Sequence, residues 1–405
     1  MRVKDWGRAG QKGSPWGKLL WGGLLSLLLL WGTTGCALVG GSATERVFLD
    51  LSLNLLDRYE LPPQNFEDTT IGGLSALVYD RQGDQFYALS DDRAHPHFYT
   101  LKVQLNPEEP DSPEATAQQP QITAIEPIAV TLLKTTEGEP WPANTLDPEG
   151  IALSPQGSLW VSSEGVYATD TPPQILEFDR ESGATLRSLP IPPEFAISID
   201  PETRRQQTGV QSNLGLESLT LSPTGSSASA QEPVRLFTLN ESPLLQDLDL
   251  SMAEEGGRLR LLHYYLAEGP PLLIAEHLYS LETVPLALVN GVSELLALDN
   301  NGHFLSLERS LTPFGLKVKL FQIAIAGASD VSKQPALQGA LANVKPIQKQ
   351  LLLDFSTLTI PGSNWEGMSW GPRLPDGSPS LILMSDNNFD SAEMNEFLLF
   401  QVNGL

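Results

Sequence analysis

The sequence predicts an all-β fold built by radial repetition, a β-propeller, and three observations carry that expectation. First, a phrase of apolar pair, turn, second apolar run and acidic or amide end recurs five times at roughly 70-residue spacing, the mark of a repeat architecture. Second, 34 Gly and 32 Pro in 405 residues suit a turn-rich β protein, and helical spacing is scarce beyond the N-terminus. Third, strand-like runs stand at both extremes, Val47 to Leu56 and Glu396 to Val402, as a ring closed by pairing its first and last strands requires.

The five phrases read as follows. Gly73-Leu74-Ser75-Ala76-Leu77 leads to Phe86 through Asp91-Asp92. Glu149-Gly150-Ile151-Ala152-Leu153 leads to Leu159 through Glu164. Leu216-Glu217-Ser218-Leu219 leads to Leu236 through Asn240-Glu241. Glu294-Leu295-Leu296-Ala297-Leu298 leads to Phe304 through Glu308-Arg309. Glu366-Gly367-Met368-Ser369-Trp370 leads to Leu381 through Asp386-Asn387-Asn388. Turn signals stand between the paired runs: Asp80-Arg81-Gln82-Gly83, Ser154-Pro155-Gln156-Gly157, Ser222-Pro223-Thr224-Gly225, Asp299-Asn300-Asn301-Gly302 and Pro375-Asp376-Gly377. A sixth blade can be assembled from the chain ends and the Ile175–Leu189 region. Six blades are therefore expected, with five or seven also compatible. Asn106 to Gln121 and Ser222 to Pro233 are low-complexity and read as long loops. Ile323 to Val344 has no clear period and receives no assignment.

Ahead of the repeats, residues 1–35 read as an export signal. Arg2, Lys4, Arg8, Lys12 and Lys18 form a basic start, and Leu19 to Trp31 is apolar but too short for a comfortable membrane span. Thr33-Thr34-Gly35-Cys36 resembles a bacterial lipobox, with Thr33 where Leu is usual. Cys36 is the only cysteine, so no intrachain disulfide can form, and lipidation of Cys36 is the role expected for it. Residues 36–46 are then a tether and 47–405 the propeller domain, placing the protein outside the cytoplasm on a membrane anchor.

Formal charge is −24 overall, and −28 once residues 1–35 are removed, with 20 Lys+Arg against 48 Asp+Glu. Such a body excludes unaided nucleic-acid binding, which needs Lys and Arg to displace counterions. Clustered carboxylates instead suit a hard divalent cation, which takes six to eight oxygen ligands. If each repeat places its acidic end alike, those ends converge on one mouth of the ring. The candidate metal ligands are Asp91, Asp92, Glu149, Glu164, Glu217, Glu241, Glu366, Asp386 and Asn387, with Glu308, Asn240 and Asn388 beside them. Calcium is the expected ion. The same residues can equally serve as strand-end hydrogen-bond acceptors and partners of Arg.

Arg93 and Arg309 place guanidinium groups beside these acids, either as anion clamps or as inter-blade salt bridges. His95 and His97 flank Pro96 and read as loop residues rather than the start of a zinc site. Gly367-Met368-Ser369-Trp370-Gly371 matches a nucleophile-elbow pattern, but Pro372, Pro375 and Gly377 follow where a helix is required, so Ser369 reads as a strand residue. Trp160, Trp365 and Trp370 fall within the repeats and read as core.

These phrases resemble the phytase-like family known for esterase-like activity of phytase. The residues that carry the resemblance are Gly73-Leu74-Ser75-Ala76-Leu77 with Ser90-Asp91-Asp92-Arg93, Asp147-Pro148-Glu149-Gly150-Ile151 with Ser163-Glu164, and Asn213-Leu214-Gly215-Leu216-Glu217-Ser218-Leu219 with Asn240-Glu241. Leu307-Glu308-Arg309 follows, then Asn364-Trp365-Glu366-Gly367-Met368-Ser369-Trp370-Gly371-Pro372 with Ser385-Asp386-Asn387-Asn388-Phe389, the most specific of the set. The resemblance runs from about Ile71 to Val402 and implies a β-propeller. It implies an activity less firmly, since one fold hosts many functions. The Asp-rich segment of alkaline β-propeller phytases is absent.

The function expected is a calcium-dependent hydrolysis of phosphate or carboxylic esters. Glu164 or Asp386 would serve as ligand or base, and Arg309 would steady the developing anion. The alternative is a non-catalytic surface-binding propeller stiffened by metal. A lactonase-like activity is a third reading. Substrate and oligomeric state are not legible.

Overall fold

The computed structural model describes residues 47–106, 119–222, 233–249, 256–360 and 362–405. The expected signal, the tether with Cys36, and most of both low-complexity stretches lie outside the described residues.

Five four-stranded antiparallel sheets form the blades, each strand pairing with the next in sequence in the first four. Blade 1 comprises Leu74–Asp80, Gln85–Ser90, His97–Leu105 and Ile122–Leu132. Blade 2 comprises Pro148–Leu153, Leu159–Ser163, Gln174–Phe178 and Thr185–Ser188. Blade 3 comprises Leu216–Ser222, Val234–Asn240, Arg258–Leu266 and Leu272–Ser280. Blade 4 comprises Val289–Ala297, His303–Thr312, Gly315–Ala324 and Gln348–Asp354. Blade 5 comprises Asn364–Trp370, Ser380–Asp386 and Asn395–Asn403, and its outermost strand is Ser52–Leu61 from the other end of the chain.

The propeller stands as expected, with five blades in place of six. The segments set aside for a sixth blade are consumed elsewhere. Ile175–Leu189 supplies the outer half of blade 2, and the chain ends complete blade 5, with Leu53 opposite Val402 and Leu61 opposite Asn395.

Blade strands are apolar on both faces because each sheet is sandwiched between two others. Five apolar clusters lie one per blade junction. Leu77, Phe86 and Tyr99 meet Ile382, Met384 and Phe397 between blades 1 and 5. Leu89 and Phe98 meet Val161 and Phe178 between blades 1 and 2. Trp160 meets Leu236 and Tyr264 between blades 2 and 3. Phe237 and Tyr279 meet Phe304 and Ile323 between blades 3 and 4. Leu305 and Leu320 meet Trp365 and Leu383 between blades 4 and 5. Trp160 and Trp365 are thus core residues. Removing either side chain should cost about 3–5 kcal/mol.

The segment without a sequence assignment, after Ile323, runs as irregular chain outside blades 3 and 4. It is pinned by Val331 N–H donating to the Glu276 carbonyl at 2.8 Å and by Ile347 N–H donating to the Leu278 carbonyl at 2.8 Å.

Candidate functional site

One irregularity, repeated five times, builds the mouth of the ring. Near the start of every innermost strand the pairing slips by one residue: between Leu74 and Ala76, Pro148 and Gly150, Leu216 and Ser218, Val292 and Glu294, and Trp365 and Gly367. The extra residue of a β-bulge leaves the ladder and its side chain is re-aimed. Those residues are Ser75, Glu149, Glu217, Ser293 and Glu366. Across from the residue before each bulge stand Ser90, Ser163, Asn240, Glu308 and Ser385 on the second strand, and the next chain position in the five blades is held by Asp91, Glu164, Glu241, Arg309 and Asp386. Two rings of equivalent positions, one bulged and one facing it on the second strands, thus supply seven carboxylates, one guanidinium and two serines.

The carboxylates interact around the whole circumference. Burial is the first cause of every upward pKa shift here, and neighbouring charge is the next. Asp91 is raised to about 8 by burial and then by the charges of Asp386, Glu366 and Asp147. Asp386 is raised to about 7 by burial and then by Glu366. Glu149 lies well above the usual range because it is buried against Glu217, Asp147 and Glu164. Glu217 is pushed up by burial and then by Glu241 and Glu164.

Two arginines divide the ring. Arg309 donates to Glu241 Oε1 at 3.0 Å and also to Glu366 and Asn364. Its place in the ring is the one that carries an acid in the other four blades. Arg93 donates to Asp147 Oδ1 at 2.7 Å, to Glu164 Oε1 at 3.5 Å and to Asn213. On this second side, Asp147, Glu149 and Glu164 each bring a carboxylate oxygen within 4.8 Å of the others. Glu164 Oε2 accepts from Gly215 N–H at 2.9 Å. Asp147 is fully buried, and no N–H or hydroxyl donor reaches its Oδ2; the Glu164 carboxyl beside Asp147 can bond to it only through a shared proton. Asp91 Oδ1 is likewise buried without a donor. Buried carboxyl oxygens without a donor, inside a cluster that burial and mutual repulsion push towards the neutral form, fit a hard cation, whose ligands are such oxygens once ionised.

Beside Asp91, the chain makes a tight floor. Gly73 has φ +56°, and a Cβ there would collide with Asp91 Oδ1 and the Phe389 ring. Asn388 and Phe389 are themselves left-handed, at φ 49° and 55°. The Asn387 side chain holds this turn, its Oδ1 accepting from Gly73 N–H at 3.3 Å and Phe389 N–H at 3.2 Å. Asn387 is therefore occupied in shaping the floor rather than facing the ring.

Of the residues singled out from sequence, the mouth gathers Asp91, Glu149, Glu164, Glu217, Glu241, Glu366, Asp386 and Arg309. Asp92 is not among them: its Oδ1 accepts from Ala94 N–H at 2.8 Å and His95 N–H at 3.2 Å, capping its own loop. Glu308 turns away to Tyr279 Oη at 2.6 Å and to Lys349. Ser369 is an inner-strand residue whose Oγ accepts from Tyr79 N–H at 3.0 Å and donates to the Trp370 carbonyl at 2.9 Å. His95 is exposed, and His97 is buried in its strand. Asp147, absent from the sequence-derived ligand set, is central. The signal that could have found it is its place in Asp147-Pro148-Glu149-Gly150, two residues before the bulge acid.

Below the mouth the channel is closed by Glu294. The positions equivalent to it in the other inner strands are Ala76, Gly150, Ser218 and Gly367, all small. Its buried carboxylate accepts the backbone N–H of Leu295 at 2.8 Å and is stabilised by the nearby backbone N–H groups of Leu219 and Met368 on the two flanking inner strands. Three blades thus meet at one side chain, whose pKa is held well above the usual range by its burial.

No curated protein matches the chain in sequence. Among solved structures, it is similar to the catalytic domain of a GH62 α-L-arabinofuranosidase of Coprinopsis cinerea at 10% identity and TM-score 0.38, covering 87% of this chain and 97% of that one. Similarity to the GH43 β-1,3-galactosidase BT3683 has 10% identity and TM-score 0.40, covering 84% and 94%. Similarity to the tail fibre of Staphylococcus aureus phage P68 has 10% identity and TM-score 0.34, covering 89% of this chain and about half, 54%, of that one. A family model described as "Phytase-like: Esterase-like activity of phytase" matches residues 69–389, from the strand before blade 1 to the Phe389 turn beside the mouth, and the chain belongs to that family.

Proposed function

We propose that the protein binds a calcium-class divalent cation at Asp147, Glu149 and Glu164 and hydrolyses phosphate or carboxylic esters at the mouth of its propeller. The observation that carries the reading is the buried Asp147 Oδ2, which no N–H or hydroxyl donor reaches, set within a triad of carboxylate oxygens no more than 4.8 Å apart. When bound, the cation would polarise the ester or phosphoryl oxygen. Arg309 holds Glu241 and Glu366 in fixed positions through its fork of donors and neutralises them. Arg93, with 38% of its side chain exposed, is the guanidinium that reaches substrate from the rim and steadies anionic oxygen there. Asp386 and Asp91, raised to about 7 and about 8, hold or release a proton near neutral pH, as a general acid or base must. Eight carboxylates against two arginines repel a polyanion, so singly charged or neutral esters fit the mouth better than phytate.

The experiment is a mixed panel of phosphate and chromogenic carboxylic esters, phytate included, assayed with calcium and with chelator. Chelator-sensitive turnover that is lost in Asp147→Asn supports the proposal. Calcium binding without turnover on any substrate refutes catalysis and leaves a binding propeller with a structural metal, a reading favoured by the number of mouth carboxylates tied to Arg309 and backbone N–H groups. We further propose export with lipidation at Cys36, supported by the basic start, the apolar run and Thr33-Thr34-Gly35-Cys36. Failure of the wild-type protein to incorporate labelled fatty acid, or equal incorporation by Cys36→Ser, would overturn it.

A further inference from the structure

On the far side of Glu294 the channel widens into a second compartment that the acidic mouth does not share. It has a volume of about 900 Å³ and opens at the opposite face of the propeller. That lies within the ~300–1,000 Å³ of small-molecule pockets. One residue from each blade, Leu77, Ile151, Leu219, Leu295 and Met368, forms its ceiling, and these occupy equivalent positions two beyond the bulge. The wall below is also largely apolar, with Leu153, Leu221 and Trp370 among its residues.

The opening, unlike the mouth, carries guanidinium groups in slight excess over carboxylates. Arg81, Arg180 and Arg373 line it, against Asp80 and Asp84. Asp80 is bound by Arg180 at 3.1 Å and by the turn amides of Gln82 and Gly83. Asp84 is paired with Lys102 outside the opening. In a chain with 25 Lys+Arg and net charge −24, three arginines at one aperture, one of them paired with Asp80, leave a local excess of positive charge. Apolar walls stabilise a hydrocarbon body by removing it from water, and guanidinium groups at the entrance bind an anionic head.

We propose that this lower compartment is a binding site for a single-headed anionic amphiphile, a medium- or long-chain carboxylate with its chain in the channel and its head on Arg81, Arg180 and Arg373. The site is independent of the acidic mouth because the Glu294 carboxylate and the five-residue apolar ceiling separate the two. A neutral amphiphile of equal length lacks the head contact, and a polyanion lacks the apolar body.

The test is calorimetric titration of the purified protein with laurate and with 1-dodecanol, in chelator. Laurate should bind saturably at one site and at least tenfold more tightly than dodecanol. Arg373→Gln should weaken laurate about tenfold and leave dodecanol unchanged. Leu153→Trp, which fills the channel at a half-buried lining position, should abolish both. Glu164→Gln should bind laurate as the wild type does, so the outcome is separate from that of the metal proposal. No saturable laurate binding overturns the proposal, as does equal affinity for the two ligands or undiminished binding by a folded Leu153→Trp. Should Leu153→Trp fail to fold, wild-type laurate affinity in Arg373→Gln overturns it.

Discussion

Replacing Arg309 by Met removes the only cation from the ring of second-strand positions at the mouth and leaves Glu241 and Glu366 facing each other without it. The side chains of Arg309, Glu241 and Glu366 are 16%, 3% and 13% exposed, so solvent screens the loss poorly. Breaking a buried ion pair by removing one partner costs about 3–5 kcal/mol. Unfolding entropy of about 2.1 cal/mol/K per residue, over the roughly 360 residues of Val47–Leu405, is about 0.75 kcal/mol/K. The melting temperature of Arg309→Met should therefore fall by about 4–7 °C in chelator at pH 7.5, read by scanning calorimetry. Calcium should restore more of the loss than it adds to the wild type, because the freed carboxylates form a second oxygen-rich pocket. A variant that melts within 1 °C of the wild type in chelator would refute the reasoning, since the mouth would then need no guanidinium at this position.

Three further outcomes follow from the same geometry. Asp147→Asn should weaken calcium binding at least tenfold by calorimetry, whereas Asp92→Asn, which alters only a loop cap, should leave it within twofold. Gly73→Ala, strained at φ +56° and crowded by Asp91 and Phe389, should lower the melting temperature and depress activity more than stability, read as a fall in kcat at a temperature where the variant is fully folded. The third concerns acid. His263 is buried in blade 3 and stacked on Phe237, with its pKa lowered to about 4 by burial and then by His277 and Arg235. Above pH 6.5 it is neutral in both folded and unfolded chains and contributes nothing. As pH falls from 6.5 towards 4 the unfolded chain takes up the proton first, so stability drops by about 3 kcal/mol and then levels. His263→Phe should remove that segment of the pH–stability curve, and an unchanged curve would show that the ring titrates freely in the folded state.

The sequence carries the radial plan because each blade repeats its chemistry: an apolar inner strand, a tight turn and a polar strand end. It misleads at blade 4. Read as text, Glu294-Leu295 aligns with Glu149-Gly150. In the fold, Ser293 takes the bulge position and Glu294 stands one residue beyond it. Side chains alternate along a strand, so one residue of slip converts a mouth acid into a channel plug. Nothing local in the sequence marks which residue bulges. Asp147 is hidden for a related reason: it precedes its strand, and only the approach of Arg93, 54 residues earlier, makes it part of the site. The blade count is ambiguous because the Ser52–Leu61 strand can be placed only by knowing its partner, more than 300 residues away. Trp160 and Trp365 were legible as core since large aromatics on repeated strands have few other places to go.

The seam in blade 5 sets the order in which this molecule can be made. Ser52–Leu61 pairs only with Asn395–Asn403, and contacts such as Asn54 with Gln401 span 347 residues. This strand leaves the ribosome before every other strand of the five blades and is the last to find its place, waiting unpaired through four blades. Loop closure over such a span is entropically costly and slow, and the waiting edge is exposed meanwhile. Once closed, the same seam resists opening, because no blade can be peeled from the ring without breaking either that pairing or two blade junctions. The protein should accordingly fold late and unfold slowly, a ring whose durability is kinetic as much as thermodynamic.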